Sequence, residues 1–331
     1  ESFVGSVVSR EATKYDLTTH SFVALAPATP NGNIPPRQQH IAAYDLPRNR
    51  MVVWGGADGL GTPVPNDTWA LDFSVVPPAW RKLTTTGTAP TARFGAAAAV
   101  DTQAWKLYVF GGVLEDGSTY GDPLSDLFVL DLATLAWSQV HPSNADGGPG
   151  DRFNARAAFD PEKKVLLYGG NHGVIRTDLS ELWQFDPATQ AWIPSVLPPF
   201  PTGWADARAM TALFGGHPAY VYSGVTNILQ DTGVMRTVLP DLQAIDVTQS
   251  QPWTELERFD PRPKPRARYS ATHVERDGLL YLYAGGEVDT DGFRTLPDMW
   301  RYTPDGGAWS MVNDGGVGAP GARLSSTMIA R

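Results

Sequence analysis

Three sets of residues in this sequence have the types and spacing to do chemistry. The first is the acidic run Glu287-Val288-Asp289-Thr290-Asp291-Gly292, with Asp298 at position twelve of the same count. Oxygen ligands at positions 1, 3 and 5, glycine at 6 and an acid at 12 make a calcium loop, so Glu287, Asp289 and Asp291 are the candidate metal ligands and calcium the one candidate cofactor. The match departs from that pattern: position 1 is Glu, position 12 is Asp and Pro297 precedes it, which leaves a solvated acidic loop as the competing reading. The second set is six histidines, none paired with another at metal-ligand spacing. His172, following Gly169-Gly170-Asn171, is the candidate acid–base group together with Glu287, and Asn171 is a candidate ligand contact.

The third set is arginine. Arg37, Arg93, Arg152, Arg208, Arg268 and Arg323 each lead a run of small residues, and at equivalent positions of a repeat they would ring one mouth. Two such charges about 10 Å apart repel by roughly 0.4 kcal/mol in water and roughly 1.7 kcal/mol at an effective dielectric of 20. Either neighbouring carboxylates neutralise them or an anionic ligand does, gripped by the bidentate guanidinium. Trp204, in the proline-rich stretch Pro198–Trp204, is a further candidate contact able to stack on a sugar or anchor a partner residue.

The elements that must position these residues are repeats. Val52-Val53-Trp54-Gly55-Gly56, Tyr108-Val109-Phe110-Gly111-Gly112, Leu166-Leu167-Tyr168-Gly169-Gly170, Tyr220-Val221-Tyr222-Ser223-Gly224 and Leu282-Tyr283-Ala284-Gly285-Gly286 are five copies of one signal, 56, 58, 54 and 62 residues apart. An arginine precedes each run. An acidic residue follows it and heads a segment that in most copies ends in aspartate; a tryptophan comes last, at Trp80, Trp137, Trp192, Trp253 and Trp309. Four strand-like segments per copy, here a to d, predict a four-stranded antiparallel sheet. The unbroken apolar b runs require burial on both faces, which a ring of sheets supplies.

Five blades are bounded near residues 37–80, 93–137, 152–192, 208–253 and 268–309. A composite of 323–331 with 1–25 is expected to close a six-bladed ring as a single domain over 1–331, the C-terminal segment supplying strand a, residues 2–8 a poor match for strand b and residues 11–16 strand c, with Phe22 at the tryptophan position. The opening Glu1-Ser2-Phe3-Val4 reads as the middle of a fold.

Bulk properties narrow the function classes. A net charge of −9 and a pI near 5.1 argue against binding a nucleic-acid backbone. No apolar stretch is long enough to insert in a membrane as a helix. The absence of cysteine removes disulfides, thiolate metal sites and a cysteine nucleophile, and leaves both exported and cytoplasmic locations open.

Glycine pair, downstream aromatic and outer tryptophan at this period resemble the Kelch repeat over essentially the whole chain. That resemblance implies a β-propeller whose b–c and d–a connections share one face. It implies functions that run from protein-binding modules to sugar mutarotases, glucosinolate-specifier proteins and galactose oxidase. The last needs a cysteine cross-linked to tyrosine and is excluded here. The specifier proteins carry an iron-binding Glu, Asp and His set where Glu287–Asp291 lies, and no histidine follows in this loop. The b–c connections are long and unequal, with 10, 13, 10, 16 and 11 residues, while the a–b turns are tight. Variable connections on one face of a rigid scaffold are where function sits. The expected function is a monomeric binding module for a protein, peptide or glycan. The alternative is a small-molecule enzyme of mutarotase or lyase type acting on an anionic substrate at the channel mouth.

Overall fold

The computed structural model describes residues 9–114, 122–143, 147–160, 164–172, 177–179, 181–195, 212–214, 218–230, 233–238, 241–246, 253–256, 261–289, 292–316, 319–320, 324 and 327–330. Five antiparallel sheets follow one another along the chain, each with strand order a-b-c-d. Blade 1 comprises Ile41–Asp45, Arg50–Trp54, Thr68–Asp72 and Ala79–Leu83. Blade 2 comprises Ala97–Asp101, Lys106–Phe110, Leu127–Asp131 and Ala136–His141, with Thr86–Gly87 added in parallel at its outer edge. Blade 3 is Arg156–Phe159, Val165–Tyr168, Leu182–Asp186 and Ala191–Ser195. Blade 4 is Ala212–Phe214, Ala219–Tyr222, Leu242–Ile245 and Trp253–Glu255. Blade 5 is Thr272–Arg276, Leu279–Tyr283, Met299–Thr303 and Ala308–Asn313.

The expected count of six four-stranded blades is corrected to five. Residues 12–25 form only a two-stranded sheet, Ala12–Asp16 against Ser21–Leu25, and residues 327–330 form no strand. The physical reason is a missing ladder partner. An a strand and a c strand meet only through the b strand between them, and the described residues include no such strand here.

The b strands are buried on both faces, as their composition requires: Leu107, Tyr108, Val109 and Phe110 are all at or below 3% exposure. They hold the cores between blades. One apolar cluster joins blades 1 and 2, another blades 2 and 3, a third blades 3 and 4, and a fourth blades 4 and 5. The d-strand tryptophans of blades 2, 3 and 5 wedge against the last b-strand aromatic of the blade before. Trp137 meets Trp54 at 5.5 Å, Trp192 meets Phe110 at 5.3 Å and Trp309 meets Tyr222 at 5.1 Å between ring centroids.

The glycine pair ends each b strand with two consecutive residues at positive φ, as at Gly55 (70°) and Gly56 (99°). The second position is short of space in blades 1, 2, 3 and 5, and in blade 2 the first is as well, since a Cβ on Gly111 would stand 2.5 Å from the Arg152 carbonyl oxygen. A Cβ on Gly112 would stand 2.9 Å from the Phe94 carbonyl oxygen, and one on Gly170 would stand 2.9 Å from both the Ala155 Cβ and the Phe153 oxygen. The first position carries Ser223 at 54° in blade 4 and Ala284 at 58° in blade 5. The pair in blade 5 is therefore Ala284-Gly285, and Gly286 already opens the next element.

Candidate functional site

The residue that leads each a strand turns back under the glycine pair. Bridges Gln38–Ala57, Phe94–Val113, Phe153–Asn171 and Tyr269–Gly286 tie the d–a connection to the b–c connection in blades 1, 2, 3 and 5. Both connections therefore share one face. On it the chain builds two layers of charge.

The lower layer is buried. Arg37, Arg93, Arg152 and Arg268 are at 5%, 2%, 1% and 1% exposure. Each guanidinium meets the acid that heads its own c strand: Asp67 at 3.4 Å, Asp126 at 2.5 Å, Glu181 at 2.8 Å and Asp298 at 2.7 Å. Each also donates to the carbonyl of the first left-handed residue after the b strand: Gly55, Gly111, Gly169 and Ala284. Its Nε donates to the carbonyl two residues upstream. The c-strand residue two beyond the acid completes the set. Trp183 and Trp300 Nε1 donate to Glu181 and Asp298, and Gln243, which stands where the other blades have an aromatic, donates to Asp241. Burial alone would raise the Asp298 and Glu181 carboxyls, but the facing arginines and indole donors outweigh it and both lie below the ordinary value. These arginines staple a, b and c strands together. Arg208, Arg323 and Trp204 lie outside the described residues.

The upper layer is made of hairpins. The b–c connections of blades 2 to 5 carry two-stranded extensions: Val113–Leu114 with Asp122–Pro123, Asn171–His172 with Thr177–Asp178, Val225–Gln230 with Gly233–Val238, and Gly286–Asp289 with Gly292–Thr295. The hairpins of blades 3, 4 and 5 touch in sequence, so three successive blades raise one continuous β-rimmed wall. In blade 1 the same connection carries the isolated bridge Ala57–Pro63 in place of a two-stranded extension.

The sequence-derived candidates fall on this wall in different ways. Asn171 is buried, its backbone paired with Phe153 and its Oδ1 3.4 Å from Asn154 Nδ2. His172 is exposed, with Nδ1 3.0 Å from the Asp151 carbonyl oxygen and 2.9 Å from Asp151 Oδ1. Glu287 is buried at 7% exposure and lies between Arg266, 3.2 Å away, and Arg294. Its hairpin pairs Asp289 with Gly292, and Asp298 is committed to Arg268. The Asp289 side chain and Asp291 lie outside the described residues. Among the described residues no three His, Asp or Glu side chains gather as metal ligands.

Sequence reasoning missed Arg266 and Arg294. The signal was present in the first case: Arg266-Ala267-Arg268 puts a second arginine two residues before the staple, so an extended segment turns the two side chains the same way at different depths. Inside the ring, Gln39, Gly95, Asn154 and Ser270, one left-handed residue from each of blades 1, 2, 3 and 5, surround the axial channel with Arg156 and His273. Burial, with Arg156 nearby, pushes His273 down to about 4, so it stands there neutral, its Nε2 3.0 Å from the Leu213 carbonyl oxygen.

With this geometry in place, comparison with known proteins identifies the fold's family. Residues 4–198 match the KLHDC2/KLHL20/DRC7 Kelch-repeats domain. The chain is 27% identical to Adagio-like protein 3 of Oryza sativa subsp. japonica over 73% of this chain and 36% of that protein. It is 26% identical to Kelch domain-containing protein 10 of Xenopus laevis, over 81% of this chain and 62% of the relative. To Acyl-CoA-binding domain-containing protein 4 of Arabidopsis thaliana it is 27% identical, over 64% and 30% respectively. The chain thus spans less than two thirds of the length of these relatives. Glycine pairs, arginine staples and interblade tryptophans agree with the match: this chain belongs to the Kelch-repeat β-propeller family.

Proposed function

We propose that the protein is an interaction module that takes a protein or peptide partner on the hairpin face. The observation that carries this reading is the wall formed by the hairpins of blades 3, 4 and 5, which stands above the paired arginines Arg37, Arg93, Arg152 and Arg268. The staples fix the wall's base, and the exposed guanidinia of Arg266 and Arg294, anchored on Glu287, offer a partner directed hydrogen-bond donors without having to be ordered first. The opposite face carries short turns such as Glu275–Leu279 and Asp131–Ala136, with little surface to vary. The wide use of Kelch propellers as binding scaffolds supports the reading at the level of the fold.

The test is a titration of a partner recovered by proximity labelling of the intact protein. Combined Arg266→Glu and Arg294→Glu should weaken binding tenfold or more, while Arg276→Glu on the opposite face should leave it within twofold. The reverse ranking would move the site to the other face, and equal small effects would sink the hairpin reading.

A further inference from the structure

We propose that the axial channel is an anion site, in which a small inorganic anion, a halide or an oxyanion of sulfate size, sits against Arg156. This does not rest on the hairpin-face reading. Room, charge and local potential each point to it.

The room comes from alanine. Ala96, Ala97, Ala98, Ala155, Ala157 and Ala271 line the channel where the chain enters the a strands, and side chains this short leave a cavity of about 180 Å³. At roughly 30 Å³ per water, that is space for a few waters or for one sulfate-sized ion with water beside it.

The charge comes from one residue. Arg156 stands two positions beyond the left-handed Asn154. Two positions beyond Gln39, Gly95 and Ser270, the corresponding residues of blades 1, 2 and 5 are Ile41, Ala97 and Thr272. The repeat therefore does not ask for a cation here, whereas each of these four blades has its buried arginine staple. Arg156 Nη1 donates to the Ala155 carbonyl oxygen at 3.1 Å. A carbonyl orients a guanidinium without cancelling its charge. Among the described residues that line the cavity none is aspartate or glutamate, so the lining as a whole is positive. Gln39, Ser270 and Thr327 bring amide and hydroxyl donors from two other blades and from the 327–330 segment. A guanidinium among neutral donors and short apolar walls is an arrangement that suits an anion, since charge-assisted hydrogen bonds gain strength where water is scarce.

The potential is visible at the two histidines that line the same cavity. Burial pushes His40 and His273 down to about 4, and a neighbouring arginine acts in the same direction on each, Arg37 on His40 and Arg156 on His273. Both stand neutral at pH 7, so Arg156 remains the charge that an anion would meet. Burial also pulls Arg156 itself down to about 10, a cost that an anion beside it offsets.

The test is the chlorine NMR line width of chloride with the intact chain at pH 7, with bromide and sulfate as competitors. The native chain should broaden the line, and millimolar bromide or sulfate should narrow it again. Arg156→Gln should weaken chloride binding by about tenfold or more, and Arg156→Lys, which keeps the charge, should restore most of it. Combined Arg266→Gln and Arg294→Gln should change nothing. Crystals of the native chain grown in bromide should show an anomalous peak beside Arg156, a readout that needs no variant to fold. No excess width in the native chain overturns the proposal, as does width that survives Arg156→Gln or disappears with Arg266 and Arg294. A bromide crystal with no peak in the channel also overturns it.

Discussion

Arg266 and Arg268 are two residues apart, point the same way and both meet carboxylates, yet they occupy different physical regimes. Arg268 is sealed in the blade, with Asp298, the Ala284 carbonyl and the Arg266 carbonyl accepting its donors. Arg266 is 62% exposed on its side chain and meets Glu287 at the protein–water boundary. In the lower layer a charge has no water to fall back on, so loss of its partner leaves an uncompensated ion. In the upper layer the guanidinia are exposed although Glu287 is buried, so solvent screens the pair in part and can stand in for a lost arginine at little cost. Depth, not residue type, separates scaffold from candidate recognition surface.

The largest break in that contrast should come from Asp126→Ala. It removes the carboxylate from Arg93, which is 2% exposed, and should cost about 3–5 kcal/mol in denaturant unfolding. A loss below about 1 kcal/mol would mean that the buried layer is not a staple. The backbone that the staples grip should respond next. Gly112→Ala forces a Cβ to within 2.9 Å of the Phe94 oxygen at φ 93° and should cost about 2 kcal/mol. Ala284→Gly, at the first position of the pair, should instead be neutral or stabilising by up to about 1 kcal/mol, since Ala284 already sits at φ 58°. Equal losses at the two positions would show that close approach, unlike strain, plays no part.

These two positions also show how far the sequence could be read. The unbroken apolar b runs and the glycine signal specify the blades, because burial on both faces and a left-handed turn leave few alternatives. They do not specify register within the pair: Ala284 takes the left-handed place without being glycine, so counting glycines shifts blade 5 by one residue. The six arginines are visible as a repeat, and their partners are not, since a guanidinium and a carboxylate about 30 residues apart are joined only when a and c strands flank one b strand. The hairpin wall has no pattern of its own in the sequence. Segments such as Gly286–Asp289 and Gly292–Thr295 are short and polar, and the blades beneath align them. The number of blades failed as an inference because matching c and d segments at one end and an a segment at the other do not make a sheet without a strand to pair them.

Acid should act on the two layers unequally. The Asp298 and Glu181 carboxyls lie below their ordinary values in the folded protein, so unfolding takes up protons. Their contribution is fully present above the unfolded values of about 4 and is lost as pH falls through the folded ones. The midpoint should drop between pH 5 and 3, and Asp298→Asn should make that drop shallower while lowering the midpoint at pH 7. An unchanged slope in the variant would remove Asp298 from the acid response.

The smallest stability effect should come from the upper layer, at Glu287→Gln. Glu287 is itself buried, but the amide keeps an acceptor there and the Arg266 and Arg294 side chains, 62% and 51% exposed, can turn to water, so the change should stay within about 1 kcal/mol. Its effect on recognition should be larger than its effect on stability, because the two guanidinia lose the anchor that aims them. The same substitution separates the pair from the calcium-loop reading. With Glu287 paired to two cations, millimolar calcium should move the midpoint of neither the native chain nor the variant by more than about 1 °C; a calcium shift abolished by Glu287→Gln would show that the carboxylate leaves its arginines for the metal.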